Sequence, residues 1–452
     1  MFAACSLHAP PGREQAVGND RIDKAMIYLL KPSRISLLVL FALMAGAFAG
    51  IAHADAPDRG VSAVGDPPPA PSTPRAAPAP GFSDSPSGGS PDVSATPTRP
   101  ADPPPPPHPT PEQRLAGLTL EQRVGQLFMV AAKADGSDSS AVADLLNSHV
   151  GNIYLAGRSQ AGVAATASVV AKLRAAISPA SSRGLPLSVA TDQEGGSVQV
   201  LRGPGFLPIP AALDQGNSSP EQLRADARNW GSELLQAGVN VDLAPVLDTV
   251  PSPEFAPSNK PIGAFKREYG FTPAAVSEQG NAMAAGLRDA GVAPVVKHFP
   301  GMGRVSLNTD VSANVHDAET TRTDPYLMPF KVAIEGGLRW VMISNAYYDK
   351  IDPDHVAPFS SVIMRTMLRT DAGFTGIIVS DDLCNAVQLS PWSMGDRAAN
   401  FIGAGGTMVL CADTASVPAM YAQVLQRAQT DPGFRNSVDA AALTVLQVKA
   451  GQ

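Results

Sequence analysis

Residues 375–382, TGIIVSDD, contain the pattern that decides the fold, because a short apolar run leads directly into two carboxylates. Seven further apolar runs occur between residues 118 and 412, and a stretch with helical character follows each. Most runs are continuously apolar rather than alternating, as expected for parallel strands covered on both faces. The other runs are QLFMVAA (126–132), GNIYLA (151–156), LPLSVATD (185–192), VDLAPVLD (241–248), APVVKHFP (293–300), RWVMISNA (339–346) and TMVLCA (407–412).

The spacers between the runs carry helix signals. One of them begins with Ser219-Pro220, a cap followed by a first-turn proline, and Gly238 follows its end. Strand–helix alternation repeated eight times over roughly 330 residues predicts an α/β protein with a single-domain (β/α)8 TIM-type barrel. An open doubly wound sheet is the rival, but no GxGxxG follows the first run and no GxxxxGK[ST] occurs in the chain.

Polar residues cluster where five of the runs end. The carboxyl ends of barrel strands meet on one face, where active sites are built, so these clusters predict one shared site. The alternative interpretation is a ring of ion pairs that only stabilises the top of the barrel. The clusters are Asp192-Gln193-Glu194, Asp242 with Asp248, Lys297-His298, Asn345, and Asp381-Asp382.

The residue types in these clusters favour sugar chemistry. The histidines of the barrel lack the spacing of metal ligands and no G-x-S-x-G elbow occurs, which disfavours a zinc enzyme and a serine hydrolase. Paired carboxylates at a sugar-sized separation perform glycoside hydrolysis. We expect a carbohydrate substrate, no cofactor and no metal. A net charge of −7 without a dense Lys/Arg block argues against a nucleic-acid partner.

Four motifs, each at the end of a predicted strand, resemble those of glycoside hydrolase family 3. The resemblance covers the chain from about Leu118 onward and is strongest to the bacterial β-N-acetylglucosaminidase branch that consists of the barrel domain. It implies a retaining hydrolase that releases terminal β-linked N-acetylglucosamine from cell-wall or chitin-type fragments. A β-glucosidase remains the alternative within the family. The motifs are TDQEGGSVQVLRG (191–203), GVNVDLAPVLD (238–248), KHFPGMGR (297–304) and GFTGIIVSDDL (373–383).

The resemblance also implies roles for individual residues. The family's nucleophile is the Asp directly after Ser in an SD motif, which here is Asp381. Asp192 matches the carboxylate that binds sugar hydroxyls, and Lys297 with His298 match a Lys-His pair that binds the same sugar. A further sugar-binding Arg lies in a family R-S-F-G segment. A similar segment with two extra residues makes Arg267 the candidate.

The chain departs from the family at the general acid/base. In the single-domain branch this residue is a His within an Asp-Ser-His triplet, whereas Asn308-Thr309-Asp310 stands there in this chain and Met302 replaces the second His of the preceding motif. Asp310 could itself be the acid/base, because a carboxylic acid with a raised pKa is a common glycosidase donor. His316, paired with the neighbouring Asp317, could instead serve from further along the loop. In the third outcome the protein is a carbohydrate-binding pseudoenzyme, since losing general acid catalysis costs about 10²–10⁴-fold.

Two of the three cysteines lie near the predicted site. Cys384 follows Asp381 by three residues, and Cys411 ends the eighth run. Neighbouring strands would bring the two sulfurs within disulfide range, and an exported location permits the bond. Two buried free thiols are the alternative.

Residues 1–54 predict an export signal or a membrane anchor. Basic residues precede the apolar stretch 35–52, and Ala52-His53-Ala54 offers the small residues of a cleavage site. The apolar stretch is also just long enough to span a bilayer, so an uncleaved anchor is the alternative and would be the protein's one membrane contact. We expect a secreted or cell-envelope protein that is monomeric.

Residues 55–112 predict a disordered, proline-rich linker. Of the 43 prolines of the chain, 19 lie between Pro57 and Pro111, and large apolar side chains are scarce there. Such a segment buries too little surface to offset its chain entropy and favours polyproline II. The barrel domain is therefore assigned to residues 113–452.

Overall fold

The computed structural model describes residues 109–451. The predicted signal segment 1–54 and residues 55–108 of the predicted linker lie outside the described residues. Every one of the eight apolar runs contains at least one strand. In chain order the strands are β1 (Phe128–Lys133), β2 (Asn152–Ala156), β3 (Ser188–Thr191), β4 (Gln193–Gly195), β5 (Val198–Gln199), β6 (Val241–Asp242), β7 (Ala293–Pro294), β8 (Val296–Phe299), β9 (His316–Asp317), β10 (Trp340–Ile343), β11 (Tyr347–Tyr348), β12 (Asp352–Val356), β13 (Ile377–Asp382) and β14 (Met408–Cys411).

Nine of these strands form a parallel sheet that curls into a nearly closed barrel, in the order β7-β6-β3-β2-β1-β14-β13-β10-β8. The two edge strands are halves of the fifth apolar run, separated only by Val295. The first half pairs with β6 and the second with β10, so this one run joins both ends of the sheet. Eight predicted runs thus give nine strands, an arrangement consistent with a TIM-type barrel.

Alternate residues of the strands face opposite sides, as strand geometry requires. One set packs inside the barrel, for example Met129 of β1 and Trp340 of β10, and two valines of the last helix join it. The other set, including Phe128 and Val130, packs against the surrounding helices. Burial on both faces is the physical reason for the continuously apolar runs.

Helices alternate with the barrel strands. A π-helix, Val362–Asp371, follows β10 in place of an α-helix. Among the described residues, no helix combines the length and apolar character needed to cross a membrane. The α-helices are α1 (Pro111–Gly117), α2 (Leu120–Gly125), α3 (Ser139–Asn147), α4 (Gly162–Ala175), α5 (Pro179–Ser182), α6 (Ala212–Gln215), α7 (Pro220–Gln236), α8 (Pro273–Asp289), α9 (Met328–Glu335), α10 (Met394–Ala404), α11 (Val417–Thr430) and α12 (Pro432–Lys449).

Helix ends follow the local signals of the sequence. The Ser219 side chain caps α7 by accepting from the Gln222 N–H, and Gly238 follows the helix with φ of +82°, as predicted. Helix α1 begins at Pro111, two residues before the predicted domain boundary. Thr110 caps it in a capping box, so the last residues of the proline-rich tract start the first helix.

Candidate active site

A cavity of about 380 Å³ opens at the carboxyl end of the barrel strands. It contains side chains from the ends of β3, β8 and β13 and from the loops that follow, which is where barrel enzymes place their sites. The fold thus brings together lining residues as far apart in sequence as Tyr154 and Ala412. Six of the seven predicted site residues line it: Asp192, Arg267, Lys297, His298, Asp310 and Asp381.

Four charged side chains form a network on one side of the cavity. The Lys297 Nζ lies 2.7 Å from an Asp192 carboxylate oxygen and 2.7 Å from Glu194 Oε1. The Arg267 guanidinium donates to both Glu194 oxygens, at 2.8 and 2.7 Å. Glu194 therefore lies between two cations and fixes the positions of both. Asp192 keeps 28% of its side chain exposed, so it is the carboxylate of the network that a ligand can reach.

The pairing outweighs the cost of burying these charges. Burial alone would raise the pKa of Glu194, but Arg267 and Lys297 lower it to about 2. Burial would lower the pKa of Lys297, yet the facing carboxylates Asp192 and Glu194 raise it above its ordinary value. Both groups are therefore ionised at neutral pH. Asp242 forms no ion pair among residues 109–451, and burial raises its pKa to about 8.

His298 is held by a buried carboxylate. Its Nδ1 lies 2.7 Å from Asp248 Oδ2, while Asp248 Oδ1 accepts from the backbone N–H groups of His298 and Met302. Asp248 is fully buried, so its carboxylate serves the protein and not a ligand. A carboxylate at Nδ1 orients the ring and leaves Nε2 for the cavity.

The two adjacent carboxylates at the end of β13 have different surroundings. Asp381 Oδ1 accepts one backbone hydrogen bond, from the Asp382 N–H at 2.8 Å. Both Asp382 oxygens accept backbone hydrogen bonds, three in total. Burial raises the pKa of Asp381 to about 6. His298 opposes that rise and the like charge of Asp310 adds to it. Within the described residues, Asp381 is thus the carboxylate of the two that has an oxygen without a hydrogen-bond donor.

The loop that departs from the family motif lies over the cavity. The Asn308 side chain accepts from the Asp310 N–H at 2.8 Å. The carbonyls of Thr309 and Asp310 accept from the N–H groups of Gln388 and Val387, at 3.1 and 3.3 Å. These bonds attach the loop to the segment after β13. The Asp310 side chain lines the cavity and stays exposed to solvent. A carboxyl group placed this way can exchange protons with water.

His316 lies elsewhere. It is part of a separate three-stranded sheet, stacks on Tyr347 with 4.6 Å between ring centroids, and does not line the cavity. The expected pairing with Asp317 is wrong, because the His316 Nδ1 lies 2.7 Å from Asp349. Asp317 instead accepts hydrogen bonds from Glu319 and Thr320. Register explains the difference, since neighbouring residues of a strand point to opposite faces.

Cys384 and Cys411 form a disulfide, with 5.2 Å between their Cα atoms. The bond joins the turn after β13 to the end of β14. Of the two alternatives left open by the sequence, the structure has the bridge. Neither cysteine lines the cavity, but Ala412, which follows Cys411 directly, does.

The rest of the cavity lining contains both polar and apolar side chains. Arg158, in the loop after β2, donates to the Ser197 carbonyl at 2.8 Å and has no carboxylate partner among residues 109–451. Apolar side chains, among them Leu243, Phe265 and Met302, complete the walls. No cluster of three His, Cys, Asp or Glu side chains suited to a metal ion exists within the described part of the chain.

The sequence patterns predict no role for Glu194, Asp248 or Arg158. Glu194 and Asp248 stood in the polar clusters, but a cluster does not distinguish a ligand-facing carboxylate from a supporting one. The alternation of side chains along an extended segment was a usable signal, because it places residues two positions apart on the same side. Asp192 and Glu194 have this spacing, and both contact Lys297. The position of Arg158 just after the second run was the only signal for that residue.

Comparisons of the sequence and of the structure with known proteins agree with one another. The sequence profile described as "Glycosyl hydrolase family 3 N terminal domain" matches residues 119–448. The crystal structure of a β-N-acetylhexosaminidase from Beutenbergia cavernae is 51% identical, with a TM-score of 0.72, over 74% of this chain and 99% of that one. A family 3 β-N-acetylglucosaminidase from Paenibacillus sp. is 29% identical with a TM-score of 0.64, over 74% of this chain and 63% of that one. The β-hexosaminidase LpqI of Mycobacterium tuberculosis is 30% identical over 373 residues, covering 80% of this chain and 92% of that protein.

Proposed function

The chain belongs to glycosyl hydrolase family 3, and from this premise we propose that it is a retaining β-N-acetylhexosaminidase. Its substrate would be terminal β-linked N-acetylglucosamine in cell-wall or chitin-type fragments. The N-acetyl preference is supported by the relatives, which are named β-hexosaminidases and β-N-acetylglucosaminidases. The single observation that carries the proposal is the cavity in which Asp381 and Asp310 meet the Asp192–Lys297–Glu194–Arg267 network.

The nucleophile in this proposal is Asp381. An attacking carboxylate needs an oxygen that is not engaged by the protein, and Asp381 has one whereas Asp382 has none. The free oxygen attacks the anomeric carbon, the bond to the leaving oxygen breaks, and an ester joins sugar and enzyme.

Asp310 supplies the proton in this proposal. As a carboxylic acid it protonates the departing oxygen, and as a carboxylate it then takes a proton from the water that cleaves the ester. The proposal rests on its position in the cavity that Asp381 also lines, and on its contact with solvent. No such argument supports His316, which lies outside the cavity.

The sugar would be held by the charged network and His298. Asp192 accepts hydrogen bonds from sugar hydroxyls, while Lys297 and Arg267 donate to them. Glu194 and Asp248 support these groups from behind. Because the network is paired before a ligand arrives, little reorganisation is needed on binding.

The test compares aryl β-N-acetylglucosaminide and aryl β-glucoside hydrolysis by the wild type, Asp381→Asn and Asp310→Asn. Asp354→Asn is the matched control, because that carboxylate is exposed and lies outside the cavity. We expect the first substrate to be preferred and Asp381→Asn to be inactive. With a poor leaving group, Asp310→Asn should lose about 10²–10⁴-fold in rate. Asp354→Asn should match the wild type.

Each part of the proposal can fail separately. A wild type no faster than Asp381→Asn would mean a carbohydrate-binding pseudoenzyme. Faster hydrolysis of the glucoside would mean a β-glucosidase. Full activity of Asp310→Asn on the poor leaving group would remove Asp310 from the acid/base role.

Export to the cell envelope is part of the proposal. It is supported by the basic residues, apolar stretch and Ala-x-Ala site of residues 1–54. Fractionating cells that express the full chain, beside a chain without residues 1–54, tests it. Retention of both chains in the cytoplasm would contradict it.

A further inference from the structure

The turn after Asp381 is held to the neighbouring strand by one side chain. Asp382 Oδ1 accepts from the N–H groups of Cys384 and Ala412, both at 2.9 Å. Its Oδ2 accepts from the Asn385 N–H at 3.2 Å. Two of these donors lie in the turn after β13 and the third follows β14, so one carboxylate joins the two segments. We call this junction, between residues 382–385 and residues 410–412, the seam.

Other contacts close the same seam. The Leu383 N–H donates to the Leu410 carbonyl at 3.1 Å, and the Cys384–Cys411 disulfide lies beside it. The buried Arg397 donates to the carbonyls of Leu383 and Cys384, both at 2.8 Å. The backbone N–H groups of Leu383, Cys384 and Asn385 thus each have a partner. Of the side chains that take part in these contacts, that of Asp382 lines the cavity.

The seam matters because Asp381 precedes it directly. The Asp382 N–H donates to Asp381 Oδ1 at 2.8 Å, so the same residue contacts the reacting group with its backbone and the seam with its side chain. A displacement of about 1 Å at a reacting group can cost about 10²-fold in rate.

We propose that Asp382 is a positioning residue: its carboxylate fixes the turn after β13 against β14 and so sets the place of the Asp381 carboxylate. This inference rests on the proposed function, because it takes Asp381 as the nucleophile. It separates the two adjacent carboxylates by task, one for reaction and one for support.

The test compares Asp382→Ala with Asp382→Asn. Both remove the charge, but the Asn oxygen can still accept from Cys384 and Ala412, whereas Ala accepts nothing. We expect Asp382→Ala to lower kcat by about 10²-fold with KM little changed, and Asp382→Asn to lose much less. The control is Asp413→Asn, since Asp413 accepts from Ala415 and Ser416 in a nearby turn that does not line the cavity.

A second measurement does not depend on hydrolysis. In carbon-13 NMR of protein labelled at the Asp carboxyl carbon, the Asp381 signal is identified by its loss in Asp381→Asn. We expect its pKa to be higher in Asp382→Ala than in Asp382→Asn, because a looser turn weakens the hydrogen bond to the Asp381 carboxylate.

The outcomes are distinct. Equal kcat and equal Asp381 pKa in the Ala and Asn variants would overturn the positioning role, as would an Asp413→Asn variant as damaged as Asp382→Ala. A wild type without hydrolase activity would refute the proposed function, while the NMR comparison would still decide the role of Asp382. Thermal unfolding of each variant identifies any that fail to fold.

Discussion

Acidification to pH 5 should remove most of the activity, because burial raises the pKa of Asp381 to about 6. The nucleophile must be ionised to attack, and kcat/KM reports the ionisation of the free enzyme. A group with that pKa is about 90% ionised at pH 7 and about 10% at pH 5, so kcat/KM should fall about tenfold. A carboxyl group with its ordinary pKa of 3.8 would stay more than about 90% ionised at both pH values.

The assay uses a 2,4-dinitrophenyl β-N-acetylglucosaminide at concentrations far below KM, between pH 4.5 and 8. This leaving group departs without a proton, so the general acid does not shape the profile. Circular dichroism at each pH checks that the fold persists. A value of kcat/KM that stays constant from pH 7 to pH 5 would refute the reasoning.

The variant Asp310→Asn tests the cause of the shift. The negative charge of Asp310 helps to raise the pKa of Asp381. Its removal should therefore move the acid limb of the kcat/KM profile, the part that falls at low pH, to lower pH. Asp354→Asn, which lies outside the cavity, should leave the limb in place. A limb that stays near pH 6 in Asp310→Asn would show that the two carboxylates do not interact.

Three further predictions concern stability. Glu194→Gln should lower the free energy of unfolding by about 3 kcal/mol at pH 7, since it leaves two buried cations short of a partner. The pKa of Glu194 in the folded state is about 2, below its ordinary value of 4.5. Urea titrations should therefore show the difference between wild type and variant shrinking as the pH falls from 4.5 towards 2. Burial lowers the pKa of Lys449 to about 7, so its unfolded form binds more protons between pH 7 and 10.5. Wild-type stability should therefore rise more than that of Lys449→Met between pH 7 and 9, and equal slopes would contradict this. Replacing Cys384 and Cys411 together by Ser should cost about 3 kcal/mol in guanidinium unfolding, and reductant should then have no further effect.

The barrel could be read from the sequence because burial on both faces leaves continuous apolar runs. Two details differ from the prediction, the first for a local reason and the second because of partners distant in the chain. The fourth run predicts a strand over 241–248, yet only Val241–Asp242 pairs regularly. The run contains Pro245, which has no N–H to donate. The fifth run divides at Val295, whose N–H donates to the carbonyls of Asp242 and Ala244.

The location of the candidate site could be predicted from the sequence, but the ion-pair partners of its residues largely could not. Strand ends indicated where Asp192, Lys297 and Asp381 lie, because the barrel topology brings strand ends together. The pairing of Glu194 with Arg267 joins residues 73 positions apart, and no local pattern encodes it. The pairing of His316 with Asp349 is of the same kind, since it depends on how β9 meets β11.

The paired network of Asp192, Glu194, Lys297 and Arg267 has a consequence for the solution conditions of sugar binding. Two carboxylates and two cations cancel, so this part of the cavity holds no excess charge that needs dissolved ions to balance it. An uncharged sugar can then enter without releasing bound salt. Its affinity should stay nearly constant from dilute buffer to high ionic strength, although charged groups provide its hydrogen bonds.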